Sequence, residues 1–227
     1  MRERTFNTLF MLSSVDGKIS TGGSDKRDVD KDFPKIKGIK EGLKQYYELE
    51  KRTSIHSLNT GRVMAKIGVN TDKCPINCPT VNFIIIDNNH LNKKGVDNLI
   101  NRTKKLFLVT SNKNHPAFQV KDKLELLYYP KKVDFKDLFK KLRKKYKASR
   151  VTIQSGGTLN AVFIREGLID RLSLVVAPGL IGGKDTSSLV DGKSLHSEKD
   201  LKNIKALKLR KCDKLKNSYL HLVYDVL

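Results

Sequence analysis

Two adjacent glycines, Gly156 and Gly157, separate a strand-like segment from an apolar, helix-like segment. Glycine lets a ligand approach the backbone closely, and the N–H groups at a helix N-terminus favour negative charge. The pattern therefore predicts an anion site. Thr158 and Leu159 follow the two glycines at the start of the helix-like segment. The alternative is a tight turn in which glycine serves only the entry into the helix.

A second polar cluster follows the first strand-like segment, where Asp16-Gly17-Lys18 reads as a turn. Lys18 is suited to polarise a carbonyl or imine, or to neutralise charge that develops during a reaction, and Asp16 is suited to orient it. Ser14 and Ser20 flank the same strand end and are candidate substrate contacts. The alternative is that Asp-Gly is an ordinary turn signal followed by a solvated lysine.

These turns are carried by predicted strands and helices. The apolar runs at 81–87 and 105–110 indicate central strands that are buried on both faces. The other predicted strands are Thr5–Ser13, Ser54–Asn59, Leu124–Tyr129, Arg150–Ser155, Arg171–Ala177, Ile204–Arg210 and Tyr219–Val226. The predicted helices are Ile39–Lys51, a short one from Val63, Val96–Arg102 and an amphipathic one within Lys131–Arg150.

The order of these elements predicts an α/β fold in a single domain, 1–227. Alternating strands and helices favour a mostly parallel central sheet flanked by helices on both faces. The last two predicted strands can pair across 214–217, which predicts an antiparallel C-terminal edge hairpin. We expect the apolar run 219–227 to be an edge strand of the sheet, which another protein surface has to cover. The long polar loop at 22–34 is a candidate lid.

Composition and charge limit the class of protein. The 45 Lys and Arg residues against 24 Asp and Glu give a net charge of +21, which favours anionic ligands such as dinucleotide phosphates. The densest basic run, 131–150, carries apolar residues at helical spacing, so its lysines occupy a solvated helix face and we expect no nucleic-acid partner. No stretch reaches the roughly 18 apolar residues of a membrane helix, and the N-terminus lacks a signal-peptide pattern. We expect a cytoplasmic protein with no membrane partner.

Three cysteines make no disulfide framework for a chain of 227 residues, which also favours a reducing compartment. Cys74 and Cys78 have near metal-ligand spacing, but no third ligand lies close to them in the sequence. We therefore expect loop thiols and no metal site. The five histidines form no cluster with a serine nucleophile or a metal-ligand set.

Several motifs occur together and in a fixed order. The segment Met11–Ser20, the Gly-Gly-Thr-Leu turn at 156–159, and the stretch from Gly167 to Gly183 resemble the C-terminal reductase domain of the bifunctional riboflavin-biosynthesis deaminase/reductase and its stand-alone relatives. The resemblance implies a dihydrofolate-reductase-like fold, NADPH as the hydride donor and a homodimer. It also implies a small-molecule substrate, because the family reduces the ribosyl group of an aminopyrimidine phosphate to a ribityl chain.

The resemblance assigns roles to further residues. It implies that 156–159 hold the cofactor diphosphate and the nicotinamide end, and that Lys18 and Asp16 are the catalytic candidates. A second glycine turn facing the same cofactor would be Thr60, Gly61 and Arg62. The binding place of the adenosine 2′-phosphate would be Thr110, Ser111 and Asn112, with Lys113 beside them.

The chain also departs from the family pattern. Ser155, a candidate substrate contact, stands where the family usually has a glutamate before the two glycines. Met64 and Ile67 stand roughly where a threonine and an aspartate are usual, and the chain has no tryptophan. These departures leave the substrate open. The alternatives are an enzyme of the dihydrofolate reductase type and a catalytically inactive nucleotide-binding relative.

Overall fold

The computed structural model describes residues 2–72, 81–120 and 123–227, so Cys74 and Cys78 lie outside the described residues. The strands are β1 (Phe6–Ser14), β2 (His56–Thr60), β3 (Asn82–Ile86), β4 (Lys105–Thr110), β5 (Leu124–Tyr128), β6 (Arg150–Ile153), β7 (Arg171–Ala177), β8 (Leu207–Lys214) and β9 (Leu220–Val226). The α-helices are α1 (Val29–Asp32), α2 (Lys44–Glu50), α3 (Gly61–Lys66), α4 (Lys93–Arg102), α5 (Phe135–Lys144) and α6 (Gly157–Arg165).

The residues group into two compact units. The first unit comprises Met1–Phe6 and Ser54–Ser155. Its strands lie in the order β5-β4-β3-β2-β6, and neighbouring strands are parallel. Thr60 pairs with Ile86, which pairs with Val109, so the carboxyl ends of β2, β3 and β4 meet at one edge.

Local sequence explains how this unit forms its helices. The Thr60 side chain accepts a hydrogen bond from the Val63 N–H and caps α3, and the Asn92 side chain caps α4 in the same way through Gly95. A buried apolar cluster packs behind these helices: Met64, Val69, Ile85, Leu91, Val96, Leu99, Leu106, Leu108 and Ala117. The apolar runs that predicted central strands are therefore confirmed as buried strands.

The second unit comprises Asn7–Thr53 and Gly156–Leu227. Its strands lie in the order β1-β7-β9-β8, with β1 and β7 parallel and β7, β9 and β8 antiparallel. Its core contains Phe10, Leu12, Val29, Phe33, Ile39, Leu43, Tyr46, Val175, Ala177 and Tyr219. The predicted mostly parallel α/β arrangement with an antiparallel C-terminal hairpin is confirmed.

Some details differ from the prediction. Strand β9 pairs with β7 on one side and β8 on the other, so the edge strand is β8 and the prediction that 219–227 is an edge was wrong. The helix expected over 39–51 begins at Lys44 and is preceded by turns at 39–43, where the Tyr219 ring leaves no room for a Cβ on Gly42. The polar loop 22–34 contains the short helix α1.

Helices long and apolar enough to cross a membrane are absent from the three described ranges. The single-domain organisation stays a prediction.

Candidate active site

In the first unit, the predicted glycine turn Thr60-Gly61-Arg62 lies at the carboxyl end of β2. A Cβ on Gly61 would lie 2.2 Å from Cγ and 2.3 Å from Oδ1 of Asp87. Gly61 therefore has to be glycine because a buried carboxylate of the same chain packs against it. The Arg62 side chain, one residue further on, is exposed.

Asp87 follows β3 and is 3% exposed. Its Oδ1 and Oδ2 accept hydrogen bonds from the backbone N–H groups of His90 and Leu91, and its Oδ2 lies 2.9 Å from Nε2 of His115. Burial by itself raises the pKa of a carboxyl group. Here the hydrogen bonds from His115, Leu91 and His90 outweigh burial and lower the pKa of Asp87 to about 2, so the group is ionised at neutral pH.

The predicted 2′-phosphate residues lie at the end of β4 and are held by Asn88. Its Oδ1 accepts hydrogen bonds from the Thr110 hydroxyl at 3.0 Å and from the Ser111 N–H at 2.8 Å. The Asn112 side chain in turn donates to the Asn88 carbonyl oxygen at 2.7 Å. The structure thus brings Thr110, Ser111 and Asn112 together at the carboxyl edge of the strands, where parallel α/β sheets bind ligands.

In the second unit, both charged groups of the Asp16-Gly17-Lys18 turn bind the loop that follows β7. Asp16 accepts hydrogen bonds from the backbone N–H groups of Ile181 and Gly182 at 3.1 and 2.6 Å. The Ser14 hydroxyl also donates to Asp16, and this bond does most to lower the pKa of Asp16 to about 2. Asp16 is therefore an ionised acceptor at neutral pH, and it fixes the start of the glycine-rich loop.

Lys18 holds the next part of that loop. Its Nζ donates to the carbonyl oxygens of Gly183 and Thr186, each at 2.9 Å. The first motif and the Gly182-Gly183 motif are therefore structural partners. A catalytic role for Lys18 and Asp16 stays a prediction, and it now has to be separated from this positioning role.

The two glycines at the start of α6 have different surroundings. A Cβ on Gly157 would lie 2.3 Å from the Ser188 carbonyl oxygen and 2.4 Å from Oδ2 of Asp191, so a segment of the same unit fills the space beside it. A Cβ on Gly156 would meet no atom within 4 Å. Gly156 is also the N-cap of α6 and provides no side chain to cap it. Of the two, Gly156 is the residue that leaves open space beside a helix N-terminus.

Segment 187–191 contacts both predicted sites of this unit, the Asp16-Gly17-Lys18 turn and the N-terminus of α6. On one side, the Ile19 N–H donates to the Ser187 carbonyl oxygen. On the other, the Asp191 N–H donates to the Gly157 carbonyl oxygen, and the Asn160 side chain donates to the Leu189 carbonyl oxygen. The Lys18 turn and the N-terminus of α6 are thus brought to the same segment.

The remaining predicted residues have varied surroundings. Thr158 is exposed and Leu159 half-buried in the first turn of α6. The Ser20 hydroxyl donates to the carbonyl oxygens of Gly22 and Arg27, which ties down the start of the polar loop. Ser155 is 2% exposed, in the place where the family usually has a glutamate.

The fold and these turns agree with one family of proteins. The chain matches the RibD C-terminal domain family over residues 5–220, and it belongs to this family. The predicted dihydrofolate-reductase-like α/β fold is confirmed, because RibD-type reductases are among the solved structures of similar fold.

Individual relatives share little sequence identity with the chain over its full length. The chain is 35% identical over 51 residues to the 2,5-diamino-6-ribosylamino-4(3H)-pyrimidinone 5′-phosphate reductase of Methanothermobacter thermautotrophicus. The matched segment covers 22% of this chain and 24% of that protein. RibD of Acinetobacter baumannii has a similar fold, with a TM-score of 0.68 and 18% identity over 99% of this chain and 59% of that one. The riboflavin biosynthesis reductase of Saccharomyces cerevisiae gives a TM-score of 0.65 and 16% identity over 100% of this chain and 92% of that one.

Sequence reasoning missed three residues that shape the site: Asp87, Asn88 and Asp191. Asp87 and Asn88 had a detectable signal, because polar residues directly after a buried parallel strand lie at the ligand-binding edge. Asp191 had none, since its place against Gly157 depends on how the loop after β7 folds back.

Proposed function

We propose that the protein is an NADPH-dependent reductase of the RibD C-terminal family. The observation that carries this proposal is the open space at Gly156, at the uncapped N-terminus of α6. A helix N-terminus with a glycine that leaves room for a ligand favours a phosphate group. The positive net charge of +21 supports the same ligand class.

The residues present fit the cofactor, although not all of them as the sequence suggested. Gly156 and Thr158 would hold the diphosphate, since both are accessible, whereas Gly157 serves the packing of the chain. Thr110, Ser111 and Asn112 would hold the adenosine end at the carboxyl edge of the first unit. When bound, NADPH supplies the hydride.

The roles proposed for the chain's own residues follow from their charges. Lys18 would leave one of its two carbonyl partners and offer its Nζ to a substrate atom that gains negative charge. Asp16 would keep the loop at 181–182 in place while this happens.

The substrate class we propose is a ribosylaminopyrimidine phosphate or another small heterocycle. The name of the Methanothermobacter relative supports the former. The departures at three positions keep the latter open. Ser155 replaces a carboxylate, and Met64 lies in the apolar core of the first unit with Ile67 packed against it, so neither offers a polar contact. A dihydrofolate reductase-type activity and an inactive nucleotide-binding protein are the alternatives, and a cytoplasmic location remains a prediction.

Thermal unfolding with added cofactor tests the proposal. NADPH should raise the melting temperature by preferential binding to the folded protein, by several degrees at about a hundred times the Kd, and NADH should raise it less. Equal shifts would remove the 2′-phosphate site from the proposal. No shift with either would contradict it. Oxidation of NADPH in the presence of 2,5-diamino-6-ribosylamino-4(3H)-pyrimidinone 5′-phosphate then tests the substrate class.

We also propose a homodimer, formed through one face of the strands β7, β9 and β8. The register places apolar side chains side by side on this face, and those on the edge strand β8 are exposed, with Leu207 at 43% and Leu209 at 52%. The other members of the face are Leu172, Leu174, Val176, Leu220, Leu222, Tyr224 and Val226. A contiguous exposed apolar patch typically marks an interface.

Light scattering tests the dimer. The wild-type protein should show about twice the chain mass of 25.7 kDa. Leu209→Lys should yield monomers because it puts a charge into the apolar face. Lys208→Ser, on the opposite face of the same strand, should leave the dimer intact. A wild-type monomer at all concentrations would contradict the proposal.

A further inference from the structure

The buried carboxylate of Asp87 has no task in the proposed chemistry, and its side chain is 0% exposed. Its two oxygens collect hydrogen bonds from the two loops that follow β3 and β4. The backbone N–H groups of His90 and Leu91 come from the first loop, and Nε2 of His115 comes from the second. A buried charge is tolerated only with such a set of partners, which makes this group costly to disturb.

The hydrogen bonds of His115 determine where its proton lies. Nδ1 accepts a hydrogen bond from the Ala117 N–H at 3.1 Å, so this nitrogen carries no proton. The neutral ring therefore has its proton on Nε2 and donates it to Asp87. The His115 imidazole thus caps the turn at 116–119 and also holds the loop after β4 against the Asp87 carboxylate.

This tie lies next to the proposed adenosine site. The His115 N–H donates to the carbonyl oxygen of Asn112, and the Asn112 side chain donates to the carbonyl oxygen of Asn88. Asn88 directly follows Asp87 in the chain. The residues proposed to receive the 2′-phosphate are therefore linked to the Asp87 carboxylate in two ways, through His115 and through Asn88.

We propose that Asp87, acting through His115, is a positioning residue that fixes the loops at 88–92 and 110–115 and so sets the preference for a 2′-phosphorylated cofactor. The inference rests on the proposed function, because it requires that this edge binds the adenosine end. Hydroxyl and amide groups discriminate between ligands only when they are held in place.

The change Asp87→Ala tests this by removing the acceptor that the two loops share. The Leu91 N–H and Nε2 of His115 face Oδ2, and the His90 N–H lies within reach of both oxygens. Without the carboxylate, the two loops lose their common partner. Asp97→Ala, at a half-buried position on α4, is the matched control.

Binding is measured by calorimetry with adenosine 2′,5′-bisphosphate, with adenosine 5′-phosphate and with reduced nicotinamide mononucleotide. The wild-type protein and Asp97→Ala should prefer the bisphosphate by at least about tenfold, and Asp87→Ala should lose most of this preference. Binding of the nicotinamide fragment should not change, which shows that the protein is still folded and that the loss is local.

Two substitutions of His115 separate the tie to Asp87 from the cap of the turn. Glutamine can place a donor where Nε2 stands but gives up the cap, whereas asparagine can cap the turn but does not reach Asp87. We expect His115→Gln to keep the preference for the bisphosphate and His115→Asn to lose it. The opposite result would assign the effect to the cap and overturn the role of Asp87.

The outcomes distinguish the inference from the proposed function. Retention of the preference in Asp87→Ala overturns this inference and leaves the proposed function intact. Failure of the wild-type protein to bind either NADPH or the adenosine fragments overturns the proposed function, and the inference with it.

Discussion

Gly156→Val should weaken NADPH binding by about a hundredfold, or about 2.7 kcal/mol, and cost the fold only about 1 kcal/mol, since valine is a poorer N-cap residue than glycine. Gly156 has φ −73° and ψ 157°, a conformation that valine adopts readily, and a Cβ there meets no atom within 4 Å. The branched side chain would instead fill the space proposed for the diphosphate. Titration with NADPH and a thermal melt measure the two effects separately.

Gly157→Ala is the matched control for this prediction. Its Cβ would collide with the Ser188 carbonyl oxygen and the Asp191 carboxylate, so the segment at 188–191 has to move. Overpacking of this kind costs about 1–3 kcal/mol, which lowers the melting temperature of a domain of this size by several degrees. If Gly156→Val binds NADPH as tightly as the wild-type protein, the diphosphate site is not at this turn.

Lys18→Met should lower kcat by about a hundredfold, because it removes the cation proposed to stabilise developing negative charge. The Kd for NADPH should stay within about threefold of the wild-type value, since Lys18 binds the loop at 183–186 and not the start of α6. The measurement is the steady-state rate of NADPH oxidation together with direct titration of the cofactor.

Asp16→Asn separates catalysis from loop positioning. Asp16 holds the same loop through Ile181 and Gly182, and its substitution leaves Lys18 unchanged. We expect a loss of about tenfold in kcat for this variant, clearly smaller than that of Lys18→Met. Equal losses in the two variants would mean that Lys18 acts only by holding the loop.

The sequence by itself determined the elements and their order. The apolar run of β4 predicted its bounds, and the paired glycines predicted the start of α6, because side-chain periodicity and turn residues are local properties of the chain. The motifs at 11–20, 156–159 and 167–183 were also enough to predict the family that the match over residues 5–220 then showed.

Only the tertiary structure decided what surrounds each glycine. Gly61 and Gly157 both looked like places where a ligand approaches, yet Asp87 and Asp191 of the same chain fill the space beside them, while Gly156 stays open. Strand β9 looked like an edge and lies between two neighbours. Such outcomes depend on strand register and on loops that fold back from distant parts of the chain. Local patterns carry no information about those contacts, so a glycine that admits a ligand and one that admits a carboxylate look the same in the sequence.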